Sequence, residues 1–402
     1  MIPFSPPHIN EKVIEEVTKV LRSGWITTGP RTKAFEKEIT AYCGNEVTLC
    51  LNSATAGLEI MLRCFGVKEG DEVILPAYTY SATANVVIHC GAKPVFVDVN
   101  SDDFNINIKA IEEAITPRTK VIMPVDFAGL PCDYSAINEL VFKVQSQFVS
   151  ESKMQAKLGR IMVLSDAAHS FGATYLNKKA GSLADVSVFS FHAVKNLTTG
   201  EGGAVCLNFP APFNNQDLYA ELCVKTLHGQ NKDALAKTQK GNWRYDIVEA
   251  GYKNNMTDIM AAIGQVELAR YEAETLPKRK VICNQYIDKL KQYAWAELPI
   301  YITEEKEGSY HLFPLRIKNI TEQQRDAIVK EIFDCDVSVN VHFIPLPQMS
   351  FYRNLGYDIK NYPTTFDNYS REISLPVFYD LTDEMVGTVL SAVIQSVEKV
   401  LK

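Results

Sequence analysis

One lysine stands out in the stretch VSVFSFHAVKNLTTGEGGAV, residues 186–205, because it lies between an apolar run and a glycine-rich turn. This lysine, Lys195, follows Ser190 at the end of the apolar run. A lysine held in apolar surroundings loses its positive charge readily, and the neutral amine can attack a carbonyl carbon. The glycines leave room for a large ligand to approach the backbone. The stretch therefore predicts a nucleophilic lysine beside a ligand.

A carboxylate ends a second apolar run, IMVLSD, at Asp166. Burying a carboxylate costs free energy unless a cation or a hydrogen-bond donor is its partner. Two interpretations are open: Asp166 caps the turn that follows, or it serves a ligand. His169 comes three residues later and would project on nearly the same side. A functional role for His169 is therefore expected only if Asp166 has one.

A third apolar run leads into Ser53, Ala54 and Thr55, where a helix is predicted to begin. The unpaired N–H groups at the start of a helix attract anions, and phosphate is the usual occupant. Serine and threonine are also the commonest helix caps, so this motif by itself indicates only a helix start.

Taken together, the three motifs are the set that pyridoxal phosphate (PLP) requires. The lysine bonds the cofactor's carbonyl carbon, the carboxylate keeps the pyridine nitrogen protonated, and the anion site holds the phosphate. Each motif is weak alone, and the combination predicts a PLP enzyme.

The elements around these motifs predict an α/β protein. Short apolar runs alternate with helix-length segments, which is typical of a mostly parallel central sheet with helices on both faces. Ligands bind at the carboxyl ends of the strands in such sheets, which is where the three motifs lie. We expect a large domain over residues 1–265, including an N-terminal segment. Residues 266–402 are expected to form a linking helix and a smaller α+β domain that includes the segment DVSVNVHFIPLP.

Composition excludes several classes of protein. The net charge of −7, without a block of Lys or Arg, argues against a nucleic-acid partner. No apolar stretch approaches the roughly 20 residues that span a bilayer, and the first residues do not resemble a signal peptide, so a cytoplasmic enzyme is expected. Nine cysteines without a CxxC pair predict free thiols, with neither a disulfide framework nor a metal site.

Several motifs give the chain a resemblance to the DegT/DnrJ/EryC1/StrS family of PLP-dependent sugar aminotransferases, which have fold type I. The resemblance runs almost end to end, and within the family the chain is most similar to the UDP-4-amino-4-deoxy-L-arabinose–oxoglutarate aminotransferases. Its most specific part is SFHAVKN followed by EGG. Other segments that carry it are SGWITTGP, LNSATAGLEIML, SDAAHSFGA, GYKNNMTDIMAAIGQVEL and VHFIPL.

The resemblance implies roles for individual residues. Lys195 would bond the cofactor, Asp166 would face the pyridine nitrogen, and His169 would lie by the phenolic oxygen. Tyr80 would stack on the pyridine face, with simple packing as the alternative. The phosphate would be bound by four residues, Ser53, Ala54, Thr55 and Ser190.

The family also implies a homodimer with active sites shared between subunits. The loop GYKNNMTD would reach the partner's phosphate through either Lys253 or Asn255, a choice that stays open because the loop departs from the usual family pattern. Residues 229–250 would form an interface loop near the substrate, where Trp243 and Arg244 are equally explained by packing.

The implied reaction moves the amino group of glutamate, released as 2-oxoglutarate, to a nucleotide-linked 4-keto sugar. Sugar-contacting candidates are Trp25, Thr27, Thr28 and His342. A 3-keto sugar or a keto-cyclitol stays open as the acceptor, as does the identity of the nucleotide. A non-catalytic PLP-binding regulator would not need Lys195 and Asp166, and both are present.

Overall fold

A seven-stranded sheet forms the centre of the molecule in the computed structural model, which describes residues 1–232 and 243–402. The strands of the chain are β1 (Val47–Leu51), β2 (Glu72–Pro76), β3 (Lys93–Val97), β4 (Thr119–Ile122), β5 (Met162–Asp166), β6 (Thr174–Tyr175), β7 (Lys178–Lys179), β8 (Val186–Ser190), β9 (Gly203–Leu207), β10 (Ala296–Glu297), β11 (Lys306–Glu307), β12 (Phe313–Ile317) and β13 (Glu372–Leu375). The order of strands in the central sheet is β1-β9-β8-β5-β4-β2-β3, and β9 alone runs antiparallel to its neighbours. The mostly parallel α/β sheet is therefore confirmed.

Helices surround this sheet because the central strands are buried on both faces. Strands β1, β2, β4, β5 and β9 are buried at every residue, as continuous apolar runs predict. The α-helices span Glu11–Ser23, Pro30–Cys43, Ala54–Phe65, Ser81–His89, Ile108–Ala114, Tyr134–Lys143, Lys153–Leu158, Asn215–Lys225, Asp258–Arg270, Leu276–Leu290, Glu322–Asp334, Ser350–Asn354, Pro363–Arg371 and Asp383–Leu401.

A long helical segment leads from the central sheet to a second core. The helix Asp258–Arg270 continues through a π-helical turn, Tyr271–Thr275, into Leu276–Leu290. The second core packs three helices, Leu276–Leu290, Glu322–Asp334 and Asp383–Leu401, on the antiparallel sheet β10-β12-β13, and its buried residues run from Ile282 to Val397. The N-terminal Ile2 packs on the same core. The division of the chain at residue 265 stays a prediction.

Residues 336–347, which contain DVSVNVHFIPLP, form no continuous strand. Only isolated bridges are present, from Val337 to Ile2 and from Asn340 to Ser374. The segment cannot continue a ladder through Pro345 and Pro347, which lack backbone N–H groups. It crosses instead to the central sheet, where Leu346 is buried in the large core.

All nine cysteines lie within the described residues and are free thiols. No helix of residues 1–232 and 243–402 is long and apolar enough to cross a membrane.

Candidate active site

A cavity of about 430 Å³ opens at the carboxyl ends of the central strands. It brings together residues that are far apart in sequence, from Ser53 to His342. Nine of the predicted site residues line it: Ser53, Ala54, Thr55, Tyr80, Asp166, His169, Ser190, Lys195 and His342.

Lys195 lies in the turn after β8, where its N–H donates to the carbonyl of His192 at 2.9 Å. Burial lowers the pKa of its amine to about 8, and the negative charge of Asp166 opposes part of that effect. A substantial fraction of the amine is therefore uncharged near neutral pH, as a nucleophile requires.

Asp166 is the last residue of β5, and its carboxylate lines the cavity. Thr83 donates its hydroxyl to Oδ2 at 2.8 Å, and the N–H of Ala168 donates to Oδ1 at 3.3 Å. Burial raises the pKa of this carboxyl, while the Thr83 hydrogen bond is the first influence that opposes the rise. Asp166 thus accepts one backbone N–H, as a cap does, and also presents its charge to the cavity.

His169 contributes a neutral imidazole to the cavity wall. Burial holds its pKa well below the usual value, and the charge of Lys195 acts in the same direction. Its ring is 4.4 Å from the ring of His311 and 5.9 Å from that of Phe343, centroid to centroid. Within the described residues, its buried Nδ1 has no hydrogen-bond partner. A buried polar atom of this kind needs a partner, and a ligand in the cavity is one source.

The predicted anion site is built by a helix start and a strand that meets it. Ser53 caps the helix Ala54–Phe65, and its hydroxyl accepts the N–H of Ala56 at 3.1 Å. Gly203 of β9 lies so close that a Cβ there would stand 2.5 Å from the nitrogen of Ala54. Only glycine fits at this position, which explains why β9 begins with Gly203. Ser190 also faces the cavity from the end of β8.

Tyr80 precedes the helix Ser81–His89 and borders the cavity mouth. Its side chain is 63% exposed, which does not fit simple packing. The ring contacts Phe343 at 5.9 Å between centroids. Stacking of Tyr80 on the pyridine face stays a prediction.

Five predicted residues do not line the cavity of their own chain. Trp25, Thr27 and Thr28 lie in the loop before the helix Pro30–Cys43. Their hydrogen bonds run within that loop, back to Ser23, or to residues 255–258. The side chain of Asn255 donates to the Thr28 hydroxyl at 2.6 Å. Lys253 is exposed on the same segment. Contacts of these residues with a ligand stay predictions.

The predicted interface loop is described only in part, because residues 233–242 lie outside the described residues. Trp243, which follows them, is 70% exposed, and the Arg244 guanidinium lies over its ring at 5.2 Å. Packing in a core does not explain Trp243.

Sequence reasoning missed His311, Phe343 and Thr83. His311 lines the cavity, and its Nδ1 is 2.8 Å from Oδ1 of Asn196, the residue after Lys195. Thr83 lies in SATANVV and supports Asp166 from a neighbouring helix. For His311 and Thr83, the only signal in the sequence was a polar residue inside an apolar segment. That signal does not reveal that their partners are Asn196 and Asp166.

A sequence model of the DegT/DnrJ/EryC1/StrS aminotransferase family matches residues 7–394. The chain belongs to this family. It is 35% identical over 402 residues to the spore coat polysaccharide biosynthesis protein SpsC of Bacillus subtilis, covering 98% of this chain and 96% of that protein. It is 39% identical over 397 residues to an uncharacterized protein of Methanocaldococcus jannaschii, with coverage of 98% and 96%.

Solved structures agree with this assignment. The PMP-form of Spr1654 of Streptococcus pneumoniae, assigned as a sugar aminotransferase, superposes with a TM-score of 0.96, 44% identity and full coverage of both chains. Its PLP-form superposes with a TM-score of 0.95, 43% identity and full coverage of both chains. PseC of Helicobacter pylori, an aminotransferase involved in pseudoaminic acid biosynthesis, superposes with a TM-score of 0.86 and 27% identity over 99% of each chain.

The chain is thus a PLP-dependent aminotransferase of fold type I, and its cavity fits the cofactor. The cavity contains the Lys195 amine, whose pKa is lowered, and the buried carboxylate of Asp166. It also contains the His169 Nδ1 atom, which has no hydrogen-bond partner among the described residues. Beside the helix start at Ala54, Gly203 leaves a space that a side chain would fill. Each of these features would suit one group of PLP.

The pKa of Lys195 predicts how this aminotransferase captures its cofactor. Only the neutral amine reacts, and a lowered pKa of about 8 means that it predominates above pH 8. We expect the rate of covalent PLP attachment to the apoenzyme to rise about tenfold per pH unit below pH 8 and to level off above it. Stopped-flow absorbance would measure this rate. Asp166→Asn should move the plateau to lower pH by removing the charge that raises the pKa, whereas a midpoint near that of free lysine would contradict the assignment.

Proposed function

We propose that this enzyme transfers the amino group of glutamate to a nucleotide-linked 4-keto sugar, giving a 4-amino sugar for a cell-surface polysaccharide or lipopolysaccharide. The observation that carries the proposal is the convergence of Lys195, Asp166 and His169 on one cavity. The polysaccharide role named for SpsC and the pseudoaminic acid role named for PseC support a sugar as the acceptor. A 3-keto sugar or keto-cyclitol is the alternative acceptor.

The cofactor, when bound, supplies a carbonyl that exchanges with amines and a ring that accepts electrons. Lys195 would hold it covalently and, once displaced by the amino donor, would move a proton at the substrate carbon as base and then as acid. Asp166 would keep the pyridine nitrogen protonated. His169, being neutral, would share a hydrogen bond with the phenolic oxygen without adding charge.

The remaining groups of the cavity would bind and shield. Ser53, Thr55 and Ser190, with the N–H groups at the start of the helix Ala54–Phe65, would hold the phosphate. Apolar side chains such as Phe4, Phe343 and Val377 also line the cavity and would exclude water from the reacting atoms.

We further propose a cytoplasmic homodimer in which each subunit completes the other's site. Lys253 is exposed and Asn255 bonds Thr28, so Lys253 is the better candidate for reaching the partner's phosphate. Trp25, Thr27 and Thr28 lie on the same surface region and would contact the partner's sugar nucleotide. Exposed apolar side chains at Ile14, Leu21 and Ile26 nearby support an interface there.

The dimer can be tested by mass action. If Lys253 binds a neighbouring phosphate, PLP should shift the monomer–dimer equilibrium toward dimer, and Lys253→Ala should weaken that shift about tenfold or more. Sedimentation velocity with and without PLP measures both effects, with the exposed Lys360→Ala as a matched control. A fully active monomer at assay concentration would rule the shared site out.

The acceptor can be tested directly with a panel of UDP-, dTDP- and GDP-linked 3-keto and 4-keto sugars assayed with glutamate. Release of 2-oxoglutarate reports the reaction, and the position of the new amine is read by mass spectrometry and NMR. A UDP-linked 4-keto pentose is expected to be among the best acceptors. Turnover with none of them would overturn the proposal, and PLP binding without turnover of any amine would favour a regulator.

A further inference from the structure

A chain of hydrogen bonds runs from the cavity wall to a fully buried carboxylate. The ring of His342 lines the cavity, and its Nδ1 is 2.9 Å from the hydroxyl oxygen of Ser374. That oxygen is 2.5 Å from Oε1 of Glu372, whose other oxygen accepts the backbone N–H of His342 at 3.0 Å. Glu372 and Ser374 lie two apart on β13, so both side chains point to the same face.

Of the three side chains, only His342 is positioned to contact a ligand in the cavity. Glu372 and Ser374 are 0% exposed, so the far end of the chain is closed to solvent. At the near end, Nε2 of His342 has no hydrogen-bond partner among residues 1–232 and 243–402 and is free to meet a ligand in the cavity. Tyr78 donates its hydroxyl to the carbonyl oxygen of His342 and so holds this residue in place.

The protonation states in this chain are set by burial. Burial lowers the pKa of His342 to about 3, and the positive charge of Lys195 acts in the same direction. The imidazole is therefore neutral and can exchange protons only by changing tautomer. Burial raises the pKa of Glu372 to about 8, against the hydrogen bonds of Ser374 and His342 and the charges of Arg325 and Arg316.

The direction of the hydrogen bonds depends on Glu372. When the carboxylate is ionised, Ser374 donates to it and accepts from Nδ1–H of His342, which leaves a lone pair on Nε2. When Glu372 is protonated, it donates to Ser374, Ser374 donates to Nδ1, and the imidazole proton must lie on Nε2. One proton on Glu372 thus changes the cavity-facing atom of His342 from acceptor to donor.

We propose that His342, Ser374 and Glu372 form a proton relay between a substrate oxygen in the cavity and the buried carboxylate. A substrate O–H bond breaks as Nε2 takes its proton; Nδ1 passes a proton to Ser374, and Ser374 passes its own to Glu372. The reverse sequence protonates an oxygen that leaves as water. The imidazole never becomes a cation. Ser374 and Glu372 are positioning residues that act through His342, and the inference rests on the proposed aminotransfer to an oxygen-rich acceptor.

Charged and titratable groups from every neighbouring element bear on this relay. These groups come from the strand β12, from the helix Glu322–Asp334, from the end of β2 and from the opposite cavity wall. The groups are Arg316, Arg325, Tyr78, Lys195, His169 and His311.

The relay is tested by nitrogen-15 NMR of the holoenzyme labelled at histidine, between pH 6 and pH 10. The signals of His342 are assigned with His342→Gln. We expect them to change from the Nε2–H tautomer to the Nδ1–H tautomer with a midpoint near pH 8, without passing through the imidazolium shift. No substrate is needed, so this result is independent of which acceptor the enzyme uses. A single tautomer across the range would overturn the proposal.

Two variants separate the relay from a structural role. Glu372→Gln must turn its carbonyl to the His342 N–H and its amide to Ser374, which holds His342 as the Nε2–H tautomer at every pH. Ser374→Ala breaks the chain and should abolish the tautomer change. Ser370→Ala, a buried serine outside the cavity that bonds the Asp367 carbonyl at 3.0 Å, is the matched control.

Kinetics provide the second measurement. Ser374→Ala should lower kcat/KM for the keto acceptor about 10²-fold while the affinity for PLP is unchanged, as expected for loss of acid–base assistance. Lys195 and Glu372 both titrate near pH 8, so both relay variants should lose the part of the pH-profile limb that comes from Glu372 and keep the part that comes from Lys195, whereas Ser370→Ala should keep both. An unchanged profile in Ser374→Ala would overturn the relay, whereas loss of turnover in every protein with an intact NMR transition would count only against the proposed acceptor.

Discussion

Lys195→Ala is expected to abolish amino transfer, by roughly 10⁴-fold or more, while the protein still folds and binds PLP without a covalent bond. The change removes both the covalent attachment and the proton-moving amine. It leaves Asp166 and the helix start at Ser53 in place, because neither depends on the Lys195 side chain for its hydrogen bonds. Turnover by stopped flow and PLP retention by equilibrium dialysis measure the two effects.

Peptide mapping identifies the attachment point independently. Borohydride reduction of the wild-type holoenzyme should place the pyridoxyl group on Lys195 alone. Exposed Lys253 is the matched comparison, since Lys253→Ala should leave the labelled peptide unchanged. Labelling of another lysine, or near-normal turnover in Lys195→Ala, would remove the basis for the assigned nucleophile.

Asp166→Asn is expected to slow the half-reaction with glutamate by roughly 10²- to 10⁴-fold. The substitution keeps size and one hydrogen bond from Thr83, but it removes the charge that would hold a proton on the pyridine nitrogen. Breaking a buried ion pair by removing one partner costs about 3–5 kcal/mol, which corresponds to roughly 10²- to 10⁴-fold in rate if it is lost from the transition state.

A second buried aspartate provides the control for this variant. Asp126 lies beyond the end of β4, is as fully buried as Asp166, and accepts from Tyr134 at 2.8 Å and from Ser170 at 2.6 Å. It is not among the residues that line the cavity. Asp126→Asn should lower the melting temperature with little effect on the rate per folded molecule. Asp166→Asn should lower the rate per folded molecule with little effect on the melting temperature. Equal rates in Asp166→Asn and wild type would mean that Asp166 serves only as a cap.

Local pattern was sufficient to predict the sheet and the part of the site that lies at strand ends. The runs that contain β5 and β8 are mostly apolar and almost wholly buried, as a strand covered on both faces should be, and each ends in a polar residue. Because parallel strands present their carboxyl ends at one edge, Asp166 and Lys195 were expected to meet there, and they line the same cavity.

Local pattern failed where a residue's environment comes from distant chain. The segment 336–347 has a strand-like composition, yet Pro345 and Pro347 deny it a ladder and it crosses between the two cores. That crossing brings His342 to the cavity, and nothing nearby in sequence shows that its partner is Ser374, 32 residues later.

The sequence by itself thus determined the type of sheet and the residues at its ligand-binding edge, because hydrophobic periodicity and residue chemistry are local properties. Only the tertiary structure decided the second layer of the site: Thr83 behind Asp166, the His311 ring beside His169, and the buried Glu372 behind His342. The pKa values of these groups follow from desolvation and from charges on other elements, and both quantities exist only once the chain has packed.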